Sequence, residues 1–294
     1  MQIIAHKKIF LSIAAILVVA SIAAIAIWGL PLGIDFTGGT LLEVEYQGDR
    51  PSNDIIREAL SPIIGEVQVQ PTGERGIIVR GPVVDEATHQ NIIAALGSFG
   101  ELEEVRFDSI GPIIGRELGK KAVTAIVIVL ILIILYIAWA FRKVSKPISS
   151  WKYGLAAIVA LLHDVAIPTG IVAFLGHSGT LQVDAFFITA LLTILGFSVH
   201  DTIIVFDRIR ENLKRLPNET FETVTNRSVN EVMARSINTS LAIILVLVAV
   251  LFLGGETTRN LALVLTLGGI FGTYSSIFVA SPILTLRARG GKRV

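Results

Sequence analysis

Five long stretches of this 294-residue chain contain no Asp, Glu, Lys or Arg. They cover residues 9–34, 122–141, 185–199, 236–255 and 260–286. A helix needs about 20 consecutive apolar residues to cross the hydrocarbon layer of a bilayer. Charged residues make up 17% of the chain, whereas a soluble domain has about 25%. The sequence therefore predicts an integral membrane protein.

Six membrane spans are predicted once the segment 154–176, which contains a single Asp, is added and the stretch from 185 is extended past Asp201. The spans cover residues 9–30, 122–141, 154–176, 185–206, 230–255 and 260–286, and the charge-free part of the fifth begins at 236. The predicted organisation is a cytoplasmic N-terminus with the first span (1–32), an exterior domain (33–119), five further helices (120–286) and a basic cytoplasmic tail (287–294).

The distribution of basic residues orients the chain. Sixteen Lys and Arg residues fall on the side of the two termini, whereas Arg259 is the one basic residue in the two short loops opposite. The positive-inside rule therefore places both termini in the cytoplasm. The N-terminus also has the form of a secretory signal, but its apolar stretch exceeds the core of about 7 to 15 residues that signals have, which favours an uncleaved span.

The exterior segment between the first two spans predicts a small α+β domain with a negative charge. It contains fifteen acidic residues and six arginines. The pattern predicts strands at 41–46, 66–70, 76–80 and 101–107 and helices at 53–64 and 85–96. Asn53 and Asp85 are the predicted helix N-caps, and Pro71-Thr72-Gly73 predicts a turn. The order βαββαβ is that of a ferredoxin-like domain, so the predicted fold is an α-helical membrane protein with six transmembrane helices and this domain between helices one and two.

Asp201 is the acid that most demands an explanation. It lies five residues before the predicted cytoplasmic end of the fourth span, about 8 Å inside at 1.5 Å per residue. An acid near the bilayer centre costs about 2.5 to 3.5 kcal/mol, so a partner is expected. Arg235 at the start of the fifth span, followed by Asn238, is the predicted partner, and protonating the acid would break such a pair. The alternatives are a solvated acid near the interface and an arginine that anchors its helix at the membrane surface.

His163 and Asp164 lie near the middle of the third span. At that depth, a neutral, hydrogen-bonded acid and a proton relay are both compatible with the sequence.

Two polar motifs flank the membrane segments. At the exterior end of the first span, Gly33, Asp35, Phe36, Thr37, Gly38, Gly39 and Thr40 belong to one eight-residue stretch. Its glycines allow close backbone approach and positive φ angles, although a flexible exit from the membrane would have the same composition. After the fourth span, a cytoplasmic motif contains Asp207, Arg208, Arg210 and Glu211. Taken alone, that motif is typical of a contact with anionic membrane lipids.

Several function classes are excluded by composition. The chain has no cysteine, which removes thiolate metal sites and thiol catalysis. A net charge of +1 gives no basic surface for nucleic acid. No nucleotide-binding loop, metal-ligand cluster or hydrolytic triad is visible, so no catalytic residue, metal or other cofactor is predicted.

Three sequence blocks together resemble the SecF members of the SecD/SecF family, which is related to RND-type exporters. They are GIDFTGGT at 33–40, GFSVHDTIIVFDRIREN at 196–212 and RSINTS at 235–240, the last followed by FLGG at 252–255. The resemblance covers nearly the whole chain, including the six-span layout. The membrane acid of the family falls on Asp201, and its arginine falls on Arg235. The family usually has Asn before the acid, whereas this chain has His200, which either extends a proton relay or replaces Asn as a hydrogen-bonding group.

The resemblance implies an accessory subunit of the bacterial Sec translocase in the cytoplasmic (inner) membrane, and not an enzyme. Such a subunit works with SecD, with the SecYEG channel and with YajC or YidC on an unfolded preprotein, after the SecA-driven step. Protons are the implied coupling ion. The alternatives are half of a proton-coupled exporter of small molecules or lipids, which would have about twelve spans in one assembly, and a purely structural membrane subunit.

Overall fold

The structure is a computed structural model that describes residues 1–141, 149–177 and 181–286. The predicted basic tail at 287–294 lies outside the described residues, as do Arg142, Lys143 and Lys146, which helped to orient the chain. The chain divides into two compact units. One consists of Met1–Leu30, Ala125–Leu175 and the chain from Phe186 onward, and the other of Pro31–Thr124 with Gly176–Ala185.

The described elements follow one another in the predicted order of helices and strands. They are α1 (Lys7–Trp28), α2 (Ile34–Thr37), β1 (Gly39–Tyr46), α3 (Asn53–Ile64), β2 (Gln68–Thr72), β3 (Gly76–Gly81), α4 (Glu86–Gly97), β4 (Leu102–Ile110), α5 (Pro112–Ala140), α6 (Ser150–Gly176), α7 (Ala185–Arg215), α8 (Phe221–Leu253), α9 (Glu256–Ser275), a π-helical segment (Ser276–Ala280) and α10 (Ser281–Leu286).

Six helical stretches of the described chain are long and apolar enough to cross a membrane. They are α1, α5, α6, α7, α8 and the continuous stretch from α9 to α10, which confirms the predicted six-helix membrane class. Two helices begin nine or more residues before the predicted spans: α5 at Pro112 and α8 at Phe221. Pro is well suited to the first position of a helix because its missing N–H has no intrahelical acceptor there.

The membrane helices differ in how much of their surface the chain itself covers. In the most apolar windows of α6 and α7, 50% and 44% of the residues are buried, against 6% in α5 and in α8. At the core, the rings of Phe141, Tyr153 and Phe206 contact one another with centroids 5.2 to 5.8 Å apart. Gly268 on α9 faces Ile194 on α7 so closely that an added Cβ would overlap the Ile194 side chain. Small residues of this kind let membrane helices approach.

The unit that is predicted to lie on the exterior side contains a four-stranded antiparallel sheet in the order β2-β3-β1-β4. Helices α3 and α4 contribute Ile56, Leu60, Ile92 and Leu96 to a core that they share with the strands. Order and topology are those of a split βαββαβ unit, so the predicted ferredoxin-like domain is confirmed.

Two local predictions in this domain were inaccurate. Ser52, not Asn53, caps α3, because the Ser52 hydroxyl accepts the Ile55 N–H at 3.5 Å and Asn53 is the first helical residue. Strand β2 continues through Pro71 and Thr72, so the turn begins at Gly73, whose φ is +58°. The other predicted cap is confirmed: the Asp85 carboxylate accepts the Thr88 N–H at 2.9 Å.

Candidate functional site

The most deeply buried acid among the described membrane residues is Asp164 on α6, which is 0% exposed. Its Oδ2 accepts hydrogen bonds from the hydroxyl groups of Ser198 on α7 and of Ser275 on α9, the latter at 2.7 Å. The Nδ1 atom of His163 lies 2.8 Å from Asp164 Oδ1. Because an unsatisfied buried carboxyl is costly, these three partners from three helices stabilise Asp164 at its depth.

His163 is almost as deeply buried as its neighbour, at 3% exposed. Its ring stacks on Tyr274 with centroids 5.9 Å apart and meets Phe271 edge-on at 6.2 Å. Within the described residues, its Nε2 atom is buried without a hydrogen-bond partner. Such an atom in a native structure calls for a functional or structural reason.

Asp201 on α7 is also buried, at 8% exposed, but its surroundings are different. No described residue forms a hydrogen bond or ion pair with its carboxyl group. It lines a cavity of about 410 Å³ between α7, α8 and α9. Apolar side chains and the glycines of α9 form much of the wall, and the polar residues that line it with Asp201 are Ser198, His200, Thr239, Ser240 and Thr273.

Ser198 belongs to both arrangements. It lines the Asp201 cavity, and its hydroxyl group donates to Asp164. It also lies one helical turn before Asp201, so the two side chains share a face of α7. At Gly272, which lines the cavity, an added Cβ would lie 3.4 Å from Ser198 Cβ and 3.9 Å from Asp164 Oδ2, so the second acid lies close to the cavity wall there.

The π-helical segment holds α7 one turn further on. Ser276, its first residue, contacts Thr202 with the hydroxyl oxygens 2.9 Å apart, and its hydroxyl also donates to the Ser198 carbonyl at 3.4 Å. The Ser281 hydroxyl in turn donates to the Ser276 carbonyl at 3.1 Å. π-helical turns are uncommon and occur frequently at functional sites.

The expected pair between Asp201 and Arg235 is not formed in this structure. Within the described residues, Arg235 makes no ion pair and its side chain is exposed. It lines a separate cavity of about 440 Å³, whose other lining residues are Ile203, Ile204, Asp207, Arg208, Glu211, Glu231 and Val232. Asn238 is exposed and lines neither cavity. The reason is the register of the two helices: Arg235 lines its cavity with Ile203, Ile204 and Asp207, whereas the α8 residues that line the Asp201 cavity begin at Thr239, one turn further along.

The cytoplasmic motif joins α7 to α8. Arg208 forms ion pairs with Glu211 at 2.5 Å and with Glu231 on α8 at 2.6 Å. Glu231 also accepts a hydrogen bond from Asn212 at 2.7 Å, and Arg210 pairs with Asp207 at 2.5 Å. Several charges in one network stabilise more than a single exposed pair does.

The exterior junction motif is ordered by its glycines. Gly38 and Gly39 have φ angles of +77° and +127°. A Cβ on Gly38 would lie 2.8 Å from the Pro112 Cα, and one on Gly39 would lie 2.8 Å from the Gly81 carbonyl oxygen. The Cβ that Gly115 lacks would likewise approach the Phe36 carbonyl oxygen at 3.1 Å. The interpretation of close backbone approach with positive φ therefore describes this segment better than a flexible exit.

Polar contacts fix the rest of this motif. The Gly33 N–H donates to the Val183 carbonyl at 2.8 Å, and the Asp35 carboxylate accepts the N–H of Ala185, the first residue of α7, at 2.7 Å. Thr37 donates to the Gly33 carbonyl at 3.1 Å. In the sheet, the hydroxyl groups of Thr40 and Ser109 lie 3.1 Å apart. The first residue of α7 is thus capped by a carboxylate 150 positions earlier in the chain.

Sequence reasoning did not assign Ser198, Ser275 and Glu231 to these sites. The spacing of three places Ser198 on the Asp201 face of its helix, but it does not reveal the contact with Asp164. Ser275 had no such signal, because small hydroxyl residues are common in membrane helices without having a special role. Glu231 had no signal because its partners on α7, Arg208 and Asn212, lie 23 and 19 positions away.

Two family models match the chain. The one described as "Protein export membrane protein SecD/SecF, C-terminal" matches residues 90–289, and the "SecD/SecF GG Motif" matches residues 23–49. The second match includes the exterior junction motif, and the first includes both buried acids.

Similar proteins and structures point the same way. Protein translocase subunit SecF of Thermobaculum terrenum is 40% identical, over 96% of this chain and 92% of that protein. The SecF subunit of Anaerolinea thermophila is 39% identical, over 99% of this chain and 95% of that protein. A crystal structure of SecDF from Thermus thermophilus, described as a translocon-associated membrane protein, superimposes with a TM-score of 0.85 at 32% identity, over 96% of this chain and 38% of that one.

Proposed function

The chain belongs to the SecD/SecF family as a SecF-type protein translocase subunit, and we propose that it works with SecD to complete preprotein export at the expense of the proton-motive force. The preprotein passes through the SecYEG channel, and this subunit acts after the SecA-driven step. A SecDF protein of Thermus thermophilus is 35% identical over 92% of this chain, which covers 36% of that longer protein. A fused relative of this kind supports SecD as the partner.

Asp201 is the observation that carries the proton coupling. A carboxyl group that is buried in a membrane helix, has no partner among the described residues and lines a cavity is able to gain and lose a proton without first breaking an ion pair. Intramembrane acids of this kind mark ion pathways and proton relays. The proposed proton coupling therefore depends on Asp201 and does not require an ion pair with Arg235.

The energy available is sufficient for such a role. One proton that crosses a potential of 100 mV releases about 2.3 kcal/mol. A free energy of that size shifts a two-state equilibrium by a factor of about 50. No covalent bond of the preprotein changes, so the subunit acts on chain movement and not as an enzyme.

The location follows from the same proposal. A subunit that draws on the proton-motive force lies in the bacterial inner membrane. The positive-inside rule then places both termini in the cytoplasm and the ferredoxin-like domain on the exterior side, where it meets the emerging chain.

The test is export of a secreted reporter with and without a membrane potential, in vesicles that contain SecD and either the wild-type chain or Asp201→Asn. Asn keeps the size and polarity of the side chain but does not titrate. We expect the potential-dependent part of late export to be lost, while the potential-independent part and assembly with SecD persist. Glu219→Gln, which removes one exposed negative charge in the loop after α7, serves as the matched control and should export normally.

The same measurement separates the proposal from a purely structural subunit. If Asp201→Asn assembles with SecD and retains full potential-dependent export, Asp201 has no coupling role and the structural alternative is correct. Family membership would be unaffected by that result.

A further inference from the structure

One hydroxyl group is hydrogen-bonded to the first of the two buried acids and lines the cavity of the second. Ser198 donates a hydrogen bond to Asp164 and also lines the cavity of Asp201, which follows one turn later on the same helix. Behind Asp164 lies His163, whose Nδ1 is 2.8 Å from the Asp164 carboxyl and whose Nε2 has no partner in the described chain. The polar groups thus form a continuous row: the cavity with Asp201, then Ser198, then Asp164, then His163.

We propose that His163 and Asp164 form a second proton-binding pair, which exchanges protons with the Asp201 cavity through the Ser198 hydroxyl group. The inference rests on the proposed function, because Asp201 is the proton donor and acceptor on the cavity side. The inference assigns to Ser198 a role in proton transfer, in addition to its contact between α7 and α6.

In the proposed proton transfer, the Ser198 hydroxyl group gains one proton and loses another. A proton that reaches the Ser198 oxygen from the cavity forms a new O–H bond, while the original O–H bond breaks and its proton passes to Asp164 Oδ2. The hydroxyl group is chemically unchanged afterwards. The reverse sequence returns the proton to the cavity, whose volume of about 410 Å³ leaves room for the water that links Ser198 to Asp201.

The histidine makes the second pair electrically suitable for this depth. Asp164 and His163 together are neutral in two forms, as carboxylate with imidazolium and as carboxylic acid with imidazole. A proton moves between Oδ1 and Nδ1 over 2.8 Å without a change in net charge. Neutral arrangements are strongly preferred in apolar surroundings, so the pair holds one proton more readily than an isolated acid would.

Few other charges act on this row. On α6 the titratable groups of this row are His163 and Asp164 themselves. On α7 they are Asp201 and the exposed His200, and on α9 Tyr274 stacks on His163. Helix α8 contributes the non-titrating Thr239 and Ser240 to the cavity. Among the described residues, no Lys, Arg or Glu lines this cavity.

Ser275 provides a matched control. Its hydroxyl group donates to the same Asp164 oxygen as Ser198 does, but it does not line the cavity. Replacing either serine by Ala removes one hydrogen bond from Asp164, and only the Ser198 variant interrupts the proposed path.

The experiment measures proton flux under an imposed pH gradient in vesicles that contain SecD with the wild-type chain, Ser198→Ala, Ser275→Ala, Ser198→Thr or Asp201→Asn. We expect Ser198→Ala to lower the flux by about tenfold or more, as loss of a proton-transfer group does. Ser275→Ala should stay within about twofold of wild type, and Ser198→Thr, which keeps a hydroxyl group, should restore the flux. Equal losses for the two Ala variants, or no loss for Ser198→Ala, would overturn the proposal.

An infrared pH titration of the full chain provides a readout that does not require transport. A carboxylic-acid band that rises on acidification and is missing in Asp164→Asn shows that Asp164 takes up a proton, and absence of such a band overturns the inference. If Asp164→Asn does not assemble, Asp164→Glu keeps a titrating group and should shift the band instead.

The two proposals fail separately. Normal flux and export in Asp201→Asn contradict the proposed function. Loss of flux in Asp201→Asn with normal flux in Ser198→Ala contradicts only the path through Ser198.

Discussion

At the scale of single residues, the two glycines at the start of β1, Gly38 and Gly39, are held in backbone conformations that other residues rarely adopt. Gly38 has a φ of +77°, and an added Cβ would lie 2.8 Å from the Pro112 Cα. We expect Gly38→Ala to destabilise this segment by at least about 1–2 kcal/mol, because a left-handed conformation alone costs that much for a residue with a Cβ. Hydrogen exchange of the β1 amides in the full chain measures the change as faster local opening.

Gly48 offers the control for that substitution. It lies in the loop after β1 without a positive φ, and an added Cβ would meet no atom within 4 Å. Gly48→Ala should therefore leave the protection of β1 unchanged. If Gly38→Ala also left the hydrogen-exchange protection of β1 unchanged, the motif would tolerate a side chain there, and its two glycines would need another explanation.

Acid should weaken the start of α4. Hydrogen bonds from the side chain and the backbone of Thr88 hold the pKa of Asp85 below its ordinary value, and those from Gln90 and then His89 do the same for the pKa of Glu86. A folded-state pKa that is lowered contributes stability above the unfolded value, and this stability is lost as the pH falls through the folded value. The loss should begin below about pH 4, the ordinary range for Asp.

Hydrogen exchange in the first turn of α4, corrected for the intrinsic rate at each pH, measures that loss. Asp85→Asn keeps a capping oxygen but does not titrate, so its protection should vary less with pH than that of the wild type. The same pH dependence in both proteins would mean that Asp85 does not contribute.

Residue-scale predictions from sequence succeeded where a short-range rule decides the outcome. Asp85 was identified as a cap because an acid before a helical pattern has few other roles, but Ser52 and Asn53 are both good caps and spacing could not choose between them. Asp201 and Asp164 were both identified by the cost of their burial. The serine partners of Asp164 were not, because Ser275 lies 111 positions from Asp164 and only the fold brings it there.

At the scale of elements, Asp35 acts on a helix to which it does not belong. Its carboxylate accepts the first N–H of α7, one of the four that a helix leaves without an intrahelical partner. We expect Asp35→Ala to fray the first turn of α7 and to speed the exchange of its amides by about 2- to 30-fold, which corresponds to a capping energy of about 0.5–2 kcal/mol. Asp35→Asn retains an acceptor and should show a much smaller change.

The length of an element was harder to predict than its existence. Long runs of apolar residues located all six membrane helices, because such runs are compatible with few other structures. The fifth was predicted from 230 or 236 but begins at Phe221, and its polar first part includes Glu231, which pairs with Arg208 on α7. Arg235, one turn after Glu231, lines the same cavity as that pair, whereas Thr239 and Ser240 line the Asp201 cavity, so the expected pair is not formed in this structure.

At the scale of the whole molecule, orientation decides which side supplies protons to Asp201. By the positive-inside rule, the basic residues predict that the loop between α7 and α8 lies in the cytoplasm, and the absence of cysteine makes the chain a clean background for labelling. We expect Glu219→Cys in that loop to react with a membrane-impermeant thiol reagent only after the membrane is opened. Gly48→Cys in the exterior domain should react in intact spheroplasts.

The opposite labelling pattern would mean that the chain has the reverse orientation in the membrane. The ferredoxin-like domain would then lie in the cytoplasm, away from an emerging preprotein, and the end of α7 nearer to Asp201 would face the exterior. Export coupling would fail under that orientation even if Asp201 titrates, because protons entering down their gradient would reach the acid from the side where no work is done on the substrate. Labelling at these two positions therefore tests the directional part of the mechanism independently of any substitution at Asp201.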